Sequence, residues 1–393
     1  MIEKPSSFQE YLQQIRQMAE GPFEELQKEV ENTNAFNDAF FELVQESGIY
    51  RCAIPEEYGG WGMSDLELMQ IQEEYSRGPG GMRMYLHFAM GMNWRILYDY
   101  GSVGQKETFL PQMLDGTVFT CFGLTEETGG TGADLHTTAV KDGDEYIING
   151  EKTLISYALY ANYAYVFAVT NPENDKSHRL SAFLIPMNLP GFSVEEMPVP
   201  MGCRGPGYGK LKFHDLRVPA CCRVGAEGDG LKIAVHSLAV SRAHVAVSNL
   251  GIAQRMLELS VARAKDRVTF GKPLASRQMI QSYIAEMGTY VHALRTMLYD
   301  FARDFDAGDD HDAKAAMVKD FSITTAQIVS DRMLLIFGGI GYFQDCSYGP
   351  VERLYRDCRV TWLEEGPPTV LKMTAARALI ESGGTLTYQE QKP

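Results

Sequence analysis

Between Leu231 and Gly338 the chain runs with few helix breakers, and this constrains its fold more than any other feature. VSRAHVAVSNLGIAQRMLELSVARAKDR, MIQSYIAEMGTYVHALRTMLYDFARDFDAG and AAMVKDFSITTAQIVSDRMLLIFGG read as three long helices. The second is long enough for about seven turns at ~3.6 residues per turn. Long helices with short connections must bury their apolar faces on one another, which predicts a helical bundle over residues 231–393.

The preceding sequence has a different character. Over residues 118–230, YIINGEKTLIS, YAYVFAVT, RLSAFLIPM and KLKFHDLRVP are short β-rich runs separated by the turn segments KDGDE, NPENDK and NLPGF. Asn149-Gly150 is a hairpin-turn signal. Several strands at this spacing without intervening helices predict an antiparallel barrel or sandwich. Residues 1–117 read helical again. Phe36, Phe40, Leu43 and Val44 recur at helical spacing and Gly48 suits a stop. Ser64 and Glu67 have the spacing of a capping box. The expected class is therefore α+β: an all-α domain over 1–117, a β domain over 118–230 and a helical domain over 231–393.

Composition excludes some functions. A formal charge of −15 disfavours a general nucleic-acid role, because phosphate binding needs basic surface. The seven cysteines contain no CxxC and no zinc spacing, so no metal site is expected and reduced thiols in a cytoplasmic protein are. The N-terminus lacks an apolar signal core, and no run of about 20 apolar residues suggests a membrane span.

The chemistry concentrates near the end. IFGGIGYFQDCSYGPVERLYRDCRVTWLEEG joins a glycine turn to a charge-dense segment and closes on Glu364 and Glu365. Gly366-Pro367-Pro368 cannot continue a helix, so the carboxylates fall where the chain must break. Two glutamates in such a place are either a solvated helix end or, beside the apolar Trp362 and Leu363, a base with a raised pKa.

With these regions in view, the chain resembles the acyl-CoA dehydrogenase family. The resemblance covers nearly the whole length and is carried by ordered motifs: LTEETGGTGADLHTTA, DGDEYIINGEKTLIS, MGCRGPGYGKLKFHDLRVP, DRVTFGKPLASRQMIQ and IFGGIGY…VERLYRDCRVTWLEEG. It implies that the helical domain is a four-helix bundle and that the cofactor is FAD. Phe122, Leu124, Thr125, Gly130 and Thr131 would meet the flavin. Thr131, Arg242 and Gly366 would meet substrate. Arg267 and Phe270 would reach the FAD of a neighbouring subunit, Gln278 would lie near adenine, and Gly338 and Gly339 would let the backbone approach the adenosine diphosphate. Leu335, Pro367 and Thr369 would complete the cofactor set. Glu365, with Glu364 as its alternative, would remove the α-proton of an acyl-CoA thioester. The β-hydride would pass to flavin N5, and electrons would go on to an electron-transfer flavoprotein. The family's assembly implies a homotetramer, a dimer of dimers.

This chain departs from the family pattern at several positions. Leu154 and Ser156 replace the tryptophan and threonine beside the flavin. Leu335 replaces a glutamine, Pro367 a threonine and Ala239 an aspartate, and the glycine-rich turn before His136 is one residue shorter. The rival base position, before Arg242, is Ser241, which cannot act as that base. Other readings stay open: an enoyl-CoA reductase using the same site in reverse, a flavin oxidase or monooxygenase on the same fold, and a flavin-free structural or assembly protein.

Overall fold

The computed structural model describes residues 2–129, 134–308, 312–344 and 346–384. The chain divides into two units, Met1–Ser241 and Arg242–Pro393.

The first unit opens with helices α1 (Phe8–Glu20), α2 (Pro22–Thr33), α3 (Asp38–Glu46), α4 (Ile49–Cys52), α5 (Asp65–Tyr75), α6 (Gly80–Met90), α7 (Met92–Tyr100) and α8 (Val103–Met113). The expected capping box starts α5: Ser64 Oγ accepts from Glu67 N and the Glu67 carboxylate accepts from Ser64 N. Gly48 follows α3 with φ +73, the left-handed stop that glycine supplies without a Cβ penalty.

The strands are β1 (Thr120–Gly123), β2 (Thr138–Asp142), β3 (Glu145–Ile155), β4 (Tyr163–Val169), β5 (Leu180–Pro186), β6 (Phe192–Glu196), β7 (Gly209–Pro219) and β8 (Arg223–Val224). They form one sheet in the order β6-β7-β3-β2-β4-β5-β8, with β1 added on β4. Most ladders are antiparallel, but β1 runs parallel to β4, and β2 shares one parallel pair with it, Thr138 with Val169. YAYVFAV in β4 and LSAFLIP in β5 are buried almost throughout, as continuous apolar runs require, whereas β7 alternates. Ile148, Val166, Phe183, Ile185, Leu211 and Phe213 share the resulting core.

Asn149-Gly150 is not the hairpin turn. It lies inside β3, where the register against β7 shifts between Ile148 and Gly150. The turn that joins β2 to β3 is Gly143-Asp144, with Gly143 at φ +62. Asn149 pairs instead with Asp215: its Nδ2 donates to the Asp215 carboxylate and its Oδ1 accepts from Asp215 N at 2.8 Å. A bulge uses the same permissive residues as a turn, so the dipeptide alone does not separate them.

The boundary between the units falls within α9 (Gly230–Asp266). The second unit continues through the short strands β9 (Val268–Thr269) and β10 (Lys272–Pro273) to α10 (Gln278–Asp306), α11 (Asp312–Phe337), α12 (Val351–Asp357) and α13 (Pro368–Glu381). Met287, Val291, Leu294, Leu298 and Phe301 make the buried stripe of α10 at alternating four- and three-residue steps. That stripe packs on α11, which also packs on α13. By length and composition α11 could cross a membrane. Here it is a bundle helix, with Lys319, Ser322 and Thr325 buried along it.

Candidate functional site

In the first unit, β1 runs into Leu124, Thr125 and Glu126. Thr153 N donates to Thr125 O at 2.9 Å, which ties this segment to the end of β3. Beneath it lies an ion pair that the sequence reading did not single out. Lys152, 0% exposed, donates to Glu126 Oε1 at 2.7 Å and to Leu124 O at 3.2 Å. Glu126 also accepts from His136 N at 2.7 Å and Thr137 N at 3.0 Å. One buried carboxylate thus anchors both ends of the glycine-rich turn. Burial pushes the Lys152 amine down to about 8 against the opposing pull of Glu126. Burial raises the Glu126 carboxyl, but Lys152 and the donors on it carry it below its ordinary value.

The edge above this pair is open. Leu154 is 62% exposed at φ +59, and Tyr157 is also left-handed at φ +67. Thr125 and Ser156 are half-buried, and among the described residues neither hydroxyl has a hydrogen-bond partner. The Phe122 ring packs on Phe167 at 5.0 Å. Gly130 and Thr131 lie outside the described residues. Ser241 is fully buried, and its Oγ lies 2.7 Å from His87 Nε2.

In the second unit, the end of α11 forms a groove of about 420 Å³ lined by Arg263, Arg267, Thr269, Leu274, Phe337, Gly338 and Gly339. Gly338 has φ +65, and a Cβ on either glycine would meet no atom within 4 Å. The missing side chains therefore leave a cradle beside two guanidinium groups. Arg267, Gly338 and Gly339 come together in this groove. Arg263, which the sequence reading missed, joins them from α9 and stacks over Tyr348 at 5.0 Å. Its signal was its position one helical turn before Arg267. Gln278, Phe270 and Leu335 are exposed and do not line the groove. Leu335 is 56% exposed; Phe270 is 98% exposed at φ +49, on the turn between β9 and β10.

The paired carboxylates occupy the break between a short helical turn ending at Trp362 and α13, whose N-cap is Pro367. Trp362 packs against Ala316, Ile323 and Leu371. Glu364 and Glu365 are both partly exposed. They differ in backbone: Glu365 is left-handed at φ +57, and Gly366 follows at φ +98. Pro367 and Thr369 are exposed beside them. Behind the loop, Lys319 Nζ donates to Glu364 O and, at 2.7 Å, to Gly366 O, while Arg242 Nε donates to Glu365 O at 3.2 Å. Lys319 is another residue that the sequence reading passed over. Burial lowers it to about 8, opposed by the charges of Glu365 and Glu364. Burial also lowers Arg242, against Glu365 and Asp312.

A non-glycine residue in the left-handed region is held there at a cost, and such residues collect at functional sites. The loop that carries the Glu365 carboxylate is tied to two buried cations through its backbone carbonyls. An anchored loop of this kind can present a carboxylate in one direction, which a general base requires.

Comparisons with known proteins agree on one family. The acyl-CoA dehydrogenase N-terminal, middle and C-terminal domain models match residues 6–117, 121–216 and 228–380. The chain is 35% identical over 377 residues to acryloyl-CoA reductase (NADH) of Anaerotignum propionicum, covering 95% of this chain and 94% of that protein. It is 34% identical over 359 residues to an acyl-CoA dehydrogenase of Bacillus subtilis, covering 91% and 93%. Among solved structures, butyryl-CoA dehydrogenase from Megasphaera elsdenii superposes with a TM-score of 0.91 at 30% identity, covering 97% of this chain and 100% of that one.

Proposed function

The chain belongs to the acyl-CoA dehydrogenase family and is an oxidoreductase acting on CH–CH groups, and from that premise we propose that it binds FAD and interconverts an acyl-CoA and its α,β-enoyl thioester with Glu365 as the base. The observation that carries the choice of base is the left-handed Glu365, whose flanking carbonyls are held by buried cations.

The residues present fit the cofactor. A diphosphate suits the open glycine cradle beside Arg263 and Arg267, since a guanidinium fork pairs with phosphate oxygens. The half-buried hydroxyls of Thr125 and Ser156 suit the polar edge of a flavin ring, and Leu154 suits its face. When bound, the flavin supplies the acceptor for the hydride equivalent leaving the β-carbon. The Glu365 carboxylate takes the α-proton: the α C–H bond breaks, an O–H bond forms, and the electron pair left on the α-carbon, delocalised in part onto the thioester carbonyl, becomes the α,β double bond as the hydride equivalent leaves. A backbone N–H at Glu365 is the proposed donor to that carbonyl, where charge develops. Arg242 and Lys319 hold the loop carbonyls around the carboxylate before proton transfer.

Two further proposals concern partners. The almost fully exposed Phe270, on a strained turn, is the group a second copy would cover, giving the dimer within a tetramer. An electron-transfer flavoprotein is the proposed electron acceptor. A reductive direction is the second reading, favoured by the 35% identical relative named as an acryloyl-CoA reductase.

The test is Glu365→Gln in the FAD-loaded enzyme, with a panel of acyl-CoA and enoyl-CoA thioesters. Flavin bleaching by substrate should slow by about 10²–10⁴-fold while thioester binding persists. Wild-type bleaching in Glu365→Gln together with its loss in Glu364→Gln would move the base to Glu364. Reoxidation of the reduced flavin by enoyl-CoA faster than by an electron-transfer flavoprotein would favour the reductase.

A further inference from the structure

We infer that Lys319 is a positioning residue of this site: its buried side-chain amine, together with the Arg242 guanidinium, grips the carbonyls of Glu364, Glu365 and Gly366 and so sets the direction of the Glu365 carboxylate. The inference rests on the reading of Glu365 as the base.

Lys319 sits about two turns into α11 and is 0% exposed. Among the described residues it makes no ion pair with a carboxylate. A buried ammonium without such a partner is costly unless its donors are used, and here they go to the main chain. The two carbonyls it holds belong to residues two apart, so the chain between them must turn back on itself. The left-handed values of +57 at Glu365 and +98 at Gly366 are that turn. Arg242 takes the remaining carbonyl of the three. A loop whose successive carbonyls are tied to cations cannot swing without breaking charge-assisted hydrogen bonds, which are about twice as strong as neutral ones.

The arrangement is also sensitive to pH. The charged groups that bear on Lys319 are Glu364 and Glu365 on the loop, Arg242 on α9 and Asp320 on its own helix, and Asp312 bears on Arg242. Burial, the largest influence, brings the Lys319 amine to about 8. Above that pH it is neutral and a weaker donor, while Arg242 remains charged. The grip therefore loosens on its lysine side first.

The experiment uses the FAD-loaded enzyme with butyryl-CoA as probe and compares Lys319→Met, Lys319→Arg and Glu365→Gln. Lys319→Met should lower kcat by about 100-fold, the scale of a misplaced reacting group, with KM changed by less than about threefold. Lys319→Arg should recover at least part of kcat and lose the fall in rate above about pH 8 that the neutral lysine causes in the wild type. Hydrogen exchange in the wild-type peptide spanning 360–372 gives a readout without turnover and without a variant. After correction for intrinsic rates, its protection should fall by about tenfold or more between pH 7 and pH 9.5. Unchanged protection across that range, or wild-type kcat in Lys319→Met, overturns the inference. Wild-type turnover in Glu365→Gln overturns the base assignment instead, and a Glu365→Gln enzyme that is dead beside a fully active Lys319→Met overturns the grip alone.

Discussion

Replacing Lys152 with methionine should do more damage than any surface substitution, and by a pH-dependent amount. Lys152 is fully buried and pairs with Glu126, which also holds the backbone of His136 and Thr137. Removing one partner of a buried pair leaves the other charge stranded, at about 3–5 kcal/mol. The pH dependence follows from the Lys152 amine, lowered from 10.5 to about 8 by burial. Below pH 8 the folded and unfolded chains both hold this proton, so the residue adds no slope. Between about 8 and 10.5 the unfolded chain still holds it and the folded chain does not, so stability from this group rises with pH. At about 1.4 kcal/mol per pH unit, the wild type should gain up to about 3 kcal/mol over Lys152→Met across that window. Lys319 titrates in the same range but is present in both proteins, so it cancels in the difference.

The assay is urea unfolding by tryptophan fluorescence in a Trp362→Phe background, which leaves Trp61 and Trp94 to report on the first unit. Glu126→Gln and the double variant complete a cycle. If the single effects add within about 0.5 kcal/mol, the two side chains are not coupled and the reasoning fails. A deficit that stays flat between pH 7 and 10 would refute the pH argument separately.

Other expectations are simpler. Arg267→Ala and Gly338→Ala should each weaken FAD retention about tenfold or more, read as FAD content after gel filtration. The Gly338 variant meets no atom within 4 Å, so its fold should lose only about 1 kcal/mol from the left-handed backbone. Gly150→Ala should cost about 2–4 kcal/mol in thermal unfolding, because its Cβ would lie 2.8 Å from Thr137 Cα at φ +138. Phe270→Asp should shift the protein to a smaller species in light scattering without lowering the unfolding midpoint of the isolated chain. Glu126 has its carboxyl below the ordinary value, so its stabilisation is complete above the usual carboxylate range and lost on acidification. Lys152→Met should therefore show a shallower acid limb than the wild type.

What the sequence determined by itself was periodicity and punctuation. The 3.6-residue spacing of Met287, Val291, Leu294 and Leu298 is enough to place α10, and the spacing of Ser64 and Glu67 is enough to start α5. The order of helical, β and helical regions, and the break holding Glu364 and Glu365, are likewise local properties. Signals with two local meanings were not decided by sequence. Asn149-Gly150 serves a turn or a bulge equally well, and only the ladder with β7 made it a bulge. The buried cations were the least legible. Nothing in AAMVKDF separates Lys319 from a solvated helix lysine, and nothing in NGEKT marks Lys152. Each is defined by what lies opposite it: Glu126, just past β1 and 26 residues earlier, and the carbonyls of a loop 45 and 47 residues later. Helical spacing is written in neighbours along the chain. A buried charge is written in neighbours across it, and only the tertiary fold supplies those.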